Sequence, residues 1–309
     1  MNTGPIFIVG APRSGTTLLQ FMLRCHPRIF LPTGESHFLI PLYRNAKTFG
    51  DLSRIENIRA VLRAMYKQSA EFLDTDLPTR FDIEGLATEL QTQGCDTMPR
   101  LVAGLFAKNA RAEGKVRWGD KTPYYVLHMD KLLEWFPDAQ FIHLIRDGRD
   151  VALSLFARRD DFGVYNTYFA AKYWEQFVKG GRELGPTLPE GAYLEIRYED
   201  ILQDQEGSVR KICAFLGEEY SEAVVNFKTT REPGKTPLLQ KRVQSDNAGK
   251  WRSKLTSAQI KIFESVSWAT LAACGYPTLT SADRLPLPLR AAMRWHNEAV
   301  AWYRRKLRE

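Results

Sequence analysis

The sequence predicts an α/β fold: a parallel sheet with helices on both faces and helical insertions. Three observations carry this. Short apolar runs recur at residues 6–9, 139–145 and 192–196, each too brief for a helix and bounded by turn residues, as strands buried on both faces require. Between them lie longer segments whose apolar residues step at helical spacing. The first run also passes through a loop holding Gly10 and Gly15 straight into a helix with Leu18, Leu19, Met22 and Leu23 on one side.

In chain order, residues 6–9 form the first strand, and the helix that follows the glycine loop ends at His26-Pro27, because proline disfavours helical backbone in the residue before it. Residues 29–31 read as a second strand, and the loop Pro32-Thr33-Gly34-Glu35-Ser36-His37 comes next. Residues 50–115 read as three helices. Ile55, Ile58, Leu62, Met65 and Phe72 step along the first, Asp82 caps the second, and Thr97 with Pro99 opens a third ending at Gly114. This block shows no site chemistry and is expected to serve as an insertion, wall and lid. Residues 118–123 (Trp-Gly-Asp-Lys-Thr-Pro) read as a loop, followed by a helix through Val126, Met129 and Leu133.

Residues 139–145 are the clearest later strand. Asp147 sits where the next helix begins and Asp150 lies in its first turn, both suited to the positive end of a helix dipole. An aromatic-rich helix over 165–182, a strand over 192–196, the turn Tyr198-Glu199-Asp200 and a helix over 206–216 complete this half. Residues 229–248 form a long polar loop without periodicity, of the kind that serves as a binding loop or lid. Thr256 then caps a long helix ending near Gly275.

At 309 residues, 44% hydrophobic and 26% charged, the chain suffices for one such domain over 1–280 with its insertions, and disorder is not expected. Cys25, Cys95, Cys213 and Cys274 lie far apart without metal-ligand spacing, which suits small core residues in a reducing compartment. No segment has the length of a signal-peptide core or a transmembrane helix, so a cytoplasmic protein is expected. Of the net charge of +7, +5 sits in residues 284–309. A nucleic-acid binder would not concentrate its charge this way, and no nucleic-acid module is visible. Residues 281–309 read instead as a basic amphipathic helix, with Leu289, Met293, Val300 and Tyr303 on one side and Trp295 and Trp302 nearby. Such helices ordinarily pack on their own domain or a sister subunit, and the arginine rim also fits anionic lipid; the sequence leaves these open.

The chemistry begins at the first loop. A strand, a loop with Gly10 and Gly15, and a helix N-terminus make a cradle of the P-loop type, where unpaired amides and the helix dipole converge on an anion such as phosphate. The glycine spacing matches the nucleoside-triphosphate pattern, but Thr16 stands where that pattern needs its lysine, and Arg13 is the loop's cation. A second anion site is Arg146 through Ser154. An arginine at the end of a buried strand sits at the sheet's carboxyl edge, and Ser154, eight residues on, lies about two turns into the following helix, within reach of the same phosphate.

Pro12-Arg13-Ser14-Gly15-Thr16-Thr17 resembles the 5′-phosphosulfate loop of sulfotransferases that use 3′-phosphoadenosine 5′-phosphosulfate (PAPS), and the Arg form followed by Glu35 is most similar to the bacterial relatives of the protein-tyrosine sulfotransferases. The resemblance implies that Ser14, Gly15, Thr16 and Thr17 hold the 5′-phosphate, that Arg13 lies against the sulfuryl group, and that Arg146 with Ser154 forms the 3′-phosphate motif. It further implies nucleotide contacts for Tyr198 and for Lys250 and Trp251 in Gly249-Lys250-Trp251. Lys121 is implied as the charge on the bridging oxygen, Glu35 as the base with His37 as its rival, and Ser245 as a weaker contact to the same oxygen. His26, His128, His143 and His296 read as structural.

The activity so implied is transfer of the sulfuryl group from PAPS to a hydroxyl, or failing that an amine, of a peptide, sugar, lipid or small molecule, with no metal. The alternatives are a nucleotide-dependent kinase of the P-loop type, which would need a lysine where Thr16 stands, and a non-catalytic membrane-associated module on the same fold. The second alternative would be supported by Glu35, His37 and Lys121 all pointing away from the cleft.

Overall fold

The computed structural model describes residues 4–227, 247–281 and 283–307. Strand β1 (Ile6–Gly10) is the middle of a five-stranded, all-parallel sheet with β2 (Ile29–Phe30), β3 (Arg117–Lys121), β4 (Gln140–Ile145) and β5 (Tyr193–Arg197), in the order β2-β3-β1-β4-β5. Phe7 is opposite Asp120 on one side and Phe141 on the other. Alternate residues of β1 enter opposite layers. Phe7 and Val9 join Phe30, Phe38, Phe106 and Phe141, whereas Ile6 and Ile8 join Leu19, Met22, Ile142 and Ile196. Phe7 stacks on Phe141 with centroids 5.4 Å apart and meets Trp118 edge-on at 6.1 Å.

Helix α1 (Thr16–Arg24) covers the second layer. The short α2 (Leu39–Asn45) was not legible in the sequence; it is followed by α3 (Ile55–Thr75), α4 (Ile83–Thr92) and α5 (Met98–Ala112). Asp82 caps α4 by accepting from the amides of Glu84 and Gly85, and Thr97 caps α5 through the amide of Arg100. After α6 (Met129–Trp135) come α7 (Gly148–Ala157), α8 (Arg159–Phe162) and the aromatic helix α9 (Thr167–Leu184). Then follow α10 (Tyr198–Gln203), α11 (Gln205–Leu216), α12 (Glu222–Val225), α13 (Trp251–Lys254), α14 (Ser257–Ala273) and α15 (Leu287–Lys306). Thr256 closes a reciprocal capping box with Gln259 at the start of α14. Among the described residues no helix is long and apolar enough to cross a membrane.

One sequence expectation is corrected here. Residues 118–123 were expected to form a loop, but Arg117–Lys121 is a fully buried strand, β3. Its charges hid it, because their partners come from distant parts of the chain. Arg117 donates to the Gly4 carbonyl (2.7 Å), the Leu216 carbonyl (2.7 Å) and Gln140 Oε1 (2.6 Å), so a buried guanidinium is tolerated. The block 50–115 is helical as expected, and none of its residues is among those lining the site cavity described below. Leu62, Met65, Phe72, Leu101 and Phe106 are buried in the same cluster as Phe7 and Phe38, so these helices buttress one face of the sheet. The loop 229–248 lies outside the described residues apart from its last two, and Ser245 is among those not described.

Candidate active site

Every strand delivers residues to one edge of the sheet. The chain leaves β1 into the loop of Arg13, Ser14 and Gly15; β2 leads to Glu35 and His37; β3 ends on Lys121; Arg146 follows β4; Tyr198 follows β5. Carboxyl ends of parallel strands lie together, where open α/β sheets bind ligands. Five loops distant in sequence therefore meet around a cavity of about 630 Å³, bordered by Arg13, Gly15, Thr16, Thr17, Glu35, His37, Arg146, Ser154 and Tyr198.

The first wall is an anion cradle. Gly15, the N-cap of α1, has φ 94°, and a Cβ there would lie 2.4 Å from Cδ2 of Tyr198. Glycine alone lets the loop close on that ring. No side chain caps α1, which leaves the amides of its first turn for another acceptor. Arg13 Nε donates to Ser154 Oγ at 2.9 Å, and Arg146 Nη1 donates to the Arg13 carbonyl at 3.4 Å. The two anion motifs are thus one structure. The Arg146 guanidinium lies 4.6 Å from the centre of the Tyr198 ring, and its Nη2 donates to the Asn247 carbonyl at 2.6 Å. Burial, followed by the charges of Arg158 and Arg146, lowers the pKa of Arg13.

Two buried donors in this cradle, Ser14 Oγ and Arg146 Nε, have no partner among the described residues. An orphaned buried polar group costs about 1–3 kcal/mol, so two together fit a site whose acceptors arrive with a ligand. Backbone strain collects here too. Arg13 (φ 73°) and His37 (φ 53°) are, among the described residues, the two non-glycine positions in the left-handed region, and both border the cavity.

The facing wall is an ionic group. Lys121 Nζ is 2.5 Å from Glu35 Oε1, and His37 Nε2 is 3.2 Å from Glu35 Oε2. Burial pushes the Glu35 carboxyl upward, but the Lys121 ammonium and the hydrogen bonds from His37 and Lys121 outweigh it and hold the group at about 2. The bond to Glu35 raises the pKa of His37 in turn. Lys121 is buried behind Glu35 rather than bordering the cavity. Beneath it, the wholly buried Asp120 is pushed up to about 6 by burial, although Ser36 Oγ (2.6 Å) and Thr122 Oγ1 (3.2 Å) donate to it. Ser36 also meets the Tyr125 hydroxyl at 2.9 Å, and Ser69, at a break in α3, donates to the Ser36 carbonyl. The Glu35–His37 loop is therefore pinned from below.

Sequence reasoning missed the third wall. Tyr124, Phe162, Tyr173 and Phe177 line it, with Arg158 and Asp161 beside them. Tyr173 and Phe177 stand one turn apart on α9, a spacing the sequence did show in the aromatic helix. The Tyr173 phenol is pushed up to about 12 by burial and then by Glu35. Asn247 carries no signal of its own, yet its Nδ2 donates to the Tyr198 hydroxyl at 2.7 Å and it borders the cavity.

Two expected nucleotide contacts stand elsewhere. Trp251 does not line the cavity; it is buried against Leu255 and Ile260, with the Arg149 guanidinium 3.7 Å from its ring centre. Its backbone is drawn in by Asp150, whose carboxylate accepts from the amides of Gly249 (2.6 Å) and Trp251 (2.9 Å), so the indole faces the core. Lys250 also stands off the cavity and donates to Asn247 Oδ1 at 3.0 Å, one residue removed from Tyr198 and Arg146. Asp147, the acid nearest the end of β4, is held through both oxygens by Arg149.

The profile of the sulfotransferase family, described as "Sulfotransferase family", matches residues 5–222. Among curated proteins, the chain is 25% identical over 245 residues to a protein-tyrosine sulfotransferase of Drosophila melanogaster, covering 78% of this chain and 44% of that protein. It is 27% identical over 251 residues to the omega-hydroxy-beta-dihydromenaquinone-9 sulfotransferase Stf3 of Mycobacterium tuberculosis, covering 69% and 62%. This chain thus spans less than two thirds of either relative. Among solved structures, it is similar to the sulfotransferase domain of the Synechococcus PCC 7002 olefin synthase, with 26% identity and a TM-score of 0.55 over 84% of this chain and 93% of that one. A sulfotransferase domain from the curacin biosynthetic pathway shares the fold, with a TM-score of 0.56 over 89% and 98% at 19% identity.

Proposed function

The chain belongs to the sulfotransferase family, and on that premise we propose that it transfers the sulfuryl group of PAPS to a hydroxyl of an acceptor. The observation that carries this reading is the single cradle in which Arg13, Ser154 and Arg146 are joined while Ser14 Oγ and Arg146 Nε keep no partner among the described residues. A bisphosphorylated nucleotide offers the anionic oxygens these donors lack. PAPS supplies the sulfuryl group and leaves as the bisphosphate; the remaining chemistry belongs to the protein. The amides of Thr16 and Thr17 with Ser14 hold one phosphate at the positive end of α1, and Arg146 with Ser154 holds the other. Arg13, tethered by Ser154, offers its guanidinium to the charge of the transferring group.

Glu35 is the base. In the free protein it is a weak one, because Lys121 and His37 hold its carboxyl at about 2. Lys121 is shared ground: an anionic oxygen brought within its reach competes with Glu35 for the ammonium. The carboxylate so released rises towards its ordinary range, where it accepts the acceptor's proton. His37 is less suited to that role, since its bond to Glu35 favours the protonated ring, which has no lone pair to offer. The acceptor lies against Tyr124, Phe162, Tyr173 and Phe177, the aromatic wall of the cavity. Asp147 supports this reading over a magnesium-dependent kinase, because Arg149 occupies both its oxygens.

Sulfur-labelled PAPS incubated with a panel of phenols, sterols, sugars and tyrosine peptides tests the proposal. Label is expected in at least one acceptor, and Glu35→Gln is expected to slow the transfer by about a hundredfold or more while still binding adenosine 3′,5′-bisphosphate. Full activity in Glu35→Gln would remove it as the base. Absence of nucleotide binding would remove the function.

A further inference from the structure

Helix α15 is amphipathic in an unusual sense. Its attachment to the domain is polar: Asn297, its only buried residue, accepts from the Tyr165 amide at 2.8 Å and donates to the Gly163 carbonyl at 3.0 Å. Asn166 donates to the Met293 carbonyl at 2.8 Å, and Arg304 lies 3.7 Å from Asp160. Its large apolar groups face away. Of the ten exposed large apolar side chains among the described residues, six fall between 287 and 307, with Trp295 73% and Trp302 56% exposed. Seven residues separate these tryptophans, so they share one line, with Ala291 and Ala299 beside them. Arg290, Arg294, Arg304, Arg305 and Lys306 stand against Glu298 as the helix's one acid. The Lys306 ammonium lies 4.3 Å from the centre of the Trp302 ring.

We propose that this outward face docks the protein in the plane of a membrane rich in anionic lipid. A helix of this length is about 30 Å long, ample for lying in an interface. Tryptophans suit the headgroup level, where the ring is half apolar and half wet, and the exposed Arg294, Arg305 and Lys306 match anionic headgroups. The charge argues against a second copy of this chain, because two such faces would oppose like with like. The exposed alanine and leucine side chains around the rings argue against nucleic acid, since they present no group to a base or phosphate. The segment that receives the helix, residues 160–166, includes Asp161 and Phe162 of the cavity wall, so docking would hold that wall near the lipid surface.

Sedimentation of the full chain with phosphatidylcholine vesicles, with and without phosphatidylglycerol, tests this at low and high salt. Binding is expected to the anionic vesicles and to weaken with salt. It should fall at least about tenfold in Trp295→Ser/Trp302→Ser and in Arg294→Gln/Arg305→Gln/Lys306→Gln. Both variants change exposed residues away from the site, so an unchanged melting temperature and unchanged affinity for adenosine 3′,5′-bisphosphate would show them folded. Three results would overturn the proposal: no sedimentation of the wild type, equal binding to neutral and anionic vesicles, or a dimer in solution that the tryptophan variant abolishes.

Discussion

Replacing Lys121 by methionine keeps most of the side chain's length and deletes its charge, which makes it the sharpest probe of the ionic wall. The Glu35 carboxyl is held at about 2 where its ordinary value is 4.5. That difference favours the ionised form by about 3 kcal/mol. Burial works in the opposite direction, and among the groups that overcome it Lys121 stands first, through its charge at 2.5 Å. Without the ammonium only the half-exposed His37 opposes burial, so the carboxyl should return to its ordinary value or pass above it. The pH dependence of the Glu35 carboxyl carbon resonance, assigned by its loss in Glu35→Gln, measures this directly. Turnover should fall about a hundredfold or more, because the charge proposed to meet the leaving oxygen has gone. Affinity for adenosine 3′,5′-bisphosphate should fall far less than turnover, since the loop amides and Arg146 are proposed to hold its two phosphates without Lys121. A Glu35 that still titrates near 2, or turnover that survives, would refute the reasoning.

The other expectations concern binding and stability. Arg146→Ala should weaken binding of adenosine 3′,5′-bisphosphate about a hundredfold by calorimetry with little effect on adenosine 5′-monophosphate. Gly15→Ala forces a Cβ to within 2.4 Å of Tyr198 at φ 94°, and should cost roughly 2–3 kcal/mol by chemical denaturation. Asp120 holds its proton more tightly folded (about 6) than at its ordinary 3.8, so its contribution to stability is whole below about pH 4 and is lost as pH rises through 6. Asp120→Asn should therefore flatten the fall in stability between those values by up to about 3 kcal/mol, read from denaturation at stepped pH.

What the sequence made legible follows from how its signals arise. β1, its glycine loop and α1 stood out because an apolar run, two glycines and a helical stripe sit side by side; β4 with Arg146 and Ser154 stood out for the same reason. β3 was invisible because Arg117, Asp120 and Lys121 are neutralised or bonded by Glu218, Gln140, Ser36 and Glu35, none of them a neighbour in sequence. The contact between Arg13 and Ser154 spans 141 residues, and only the fold makes it. Glu35, His37 and Lys121 were named through resemblance alone, and the structure adds that they touch. Trp251 is buried off the cavity, and an indole beside a lysine reads equally well in sequence as a ligand contact or as a core residue. Asp150, placed in sequence for its charge at a helix start, also captures the backbone on either side of Lys250.

One cradle, joined through Arg13, Arg146 and Ser154, is expected to receive both phosphates of a single nucleotide. Titration calorimetry without magnesium, comparing adenosine 3′,5′-bisphosphate with adenosine 5′-monophosphate, tests it most directly. The bisphosphate is expected to bind about a hundredfold more tightly, with the advantage erased in Arg146→Ala. Equal affinity for the two nucleotides, or a bisphosphate preference that survives the loss of Arg146, would contradict it.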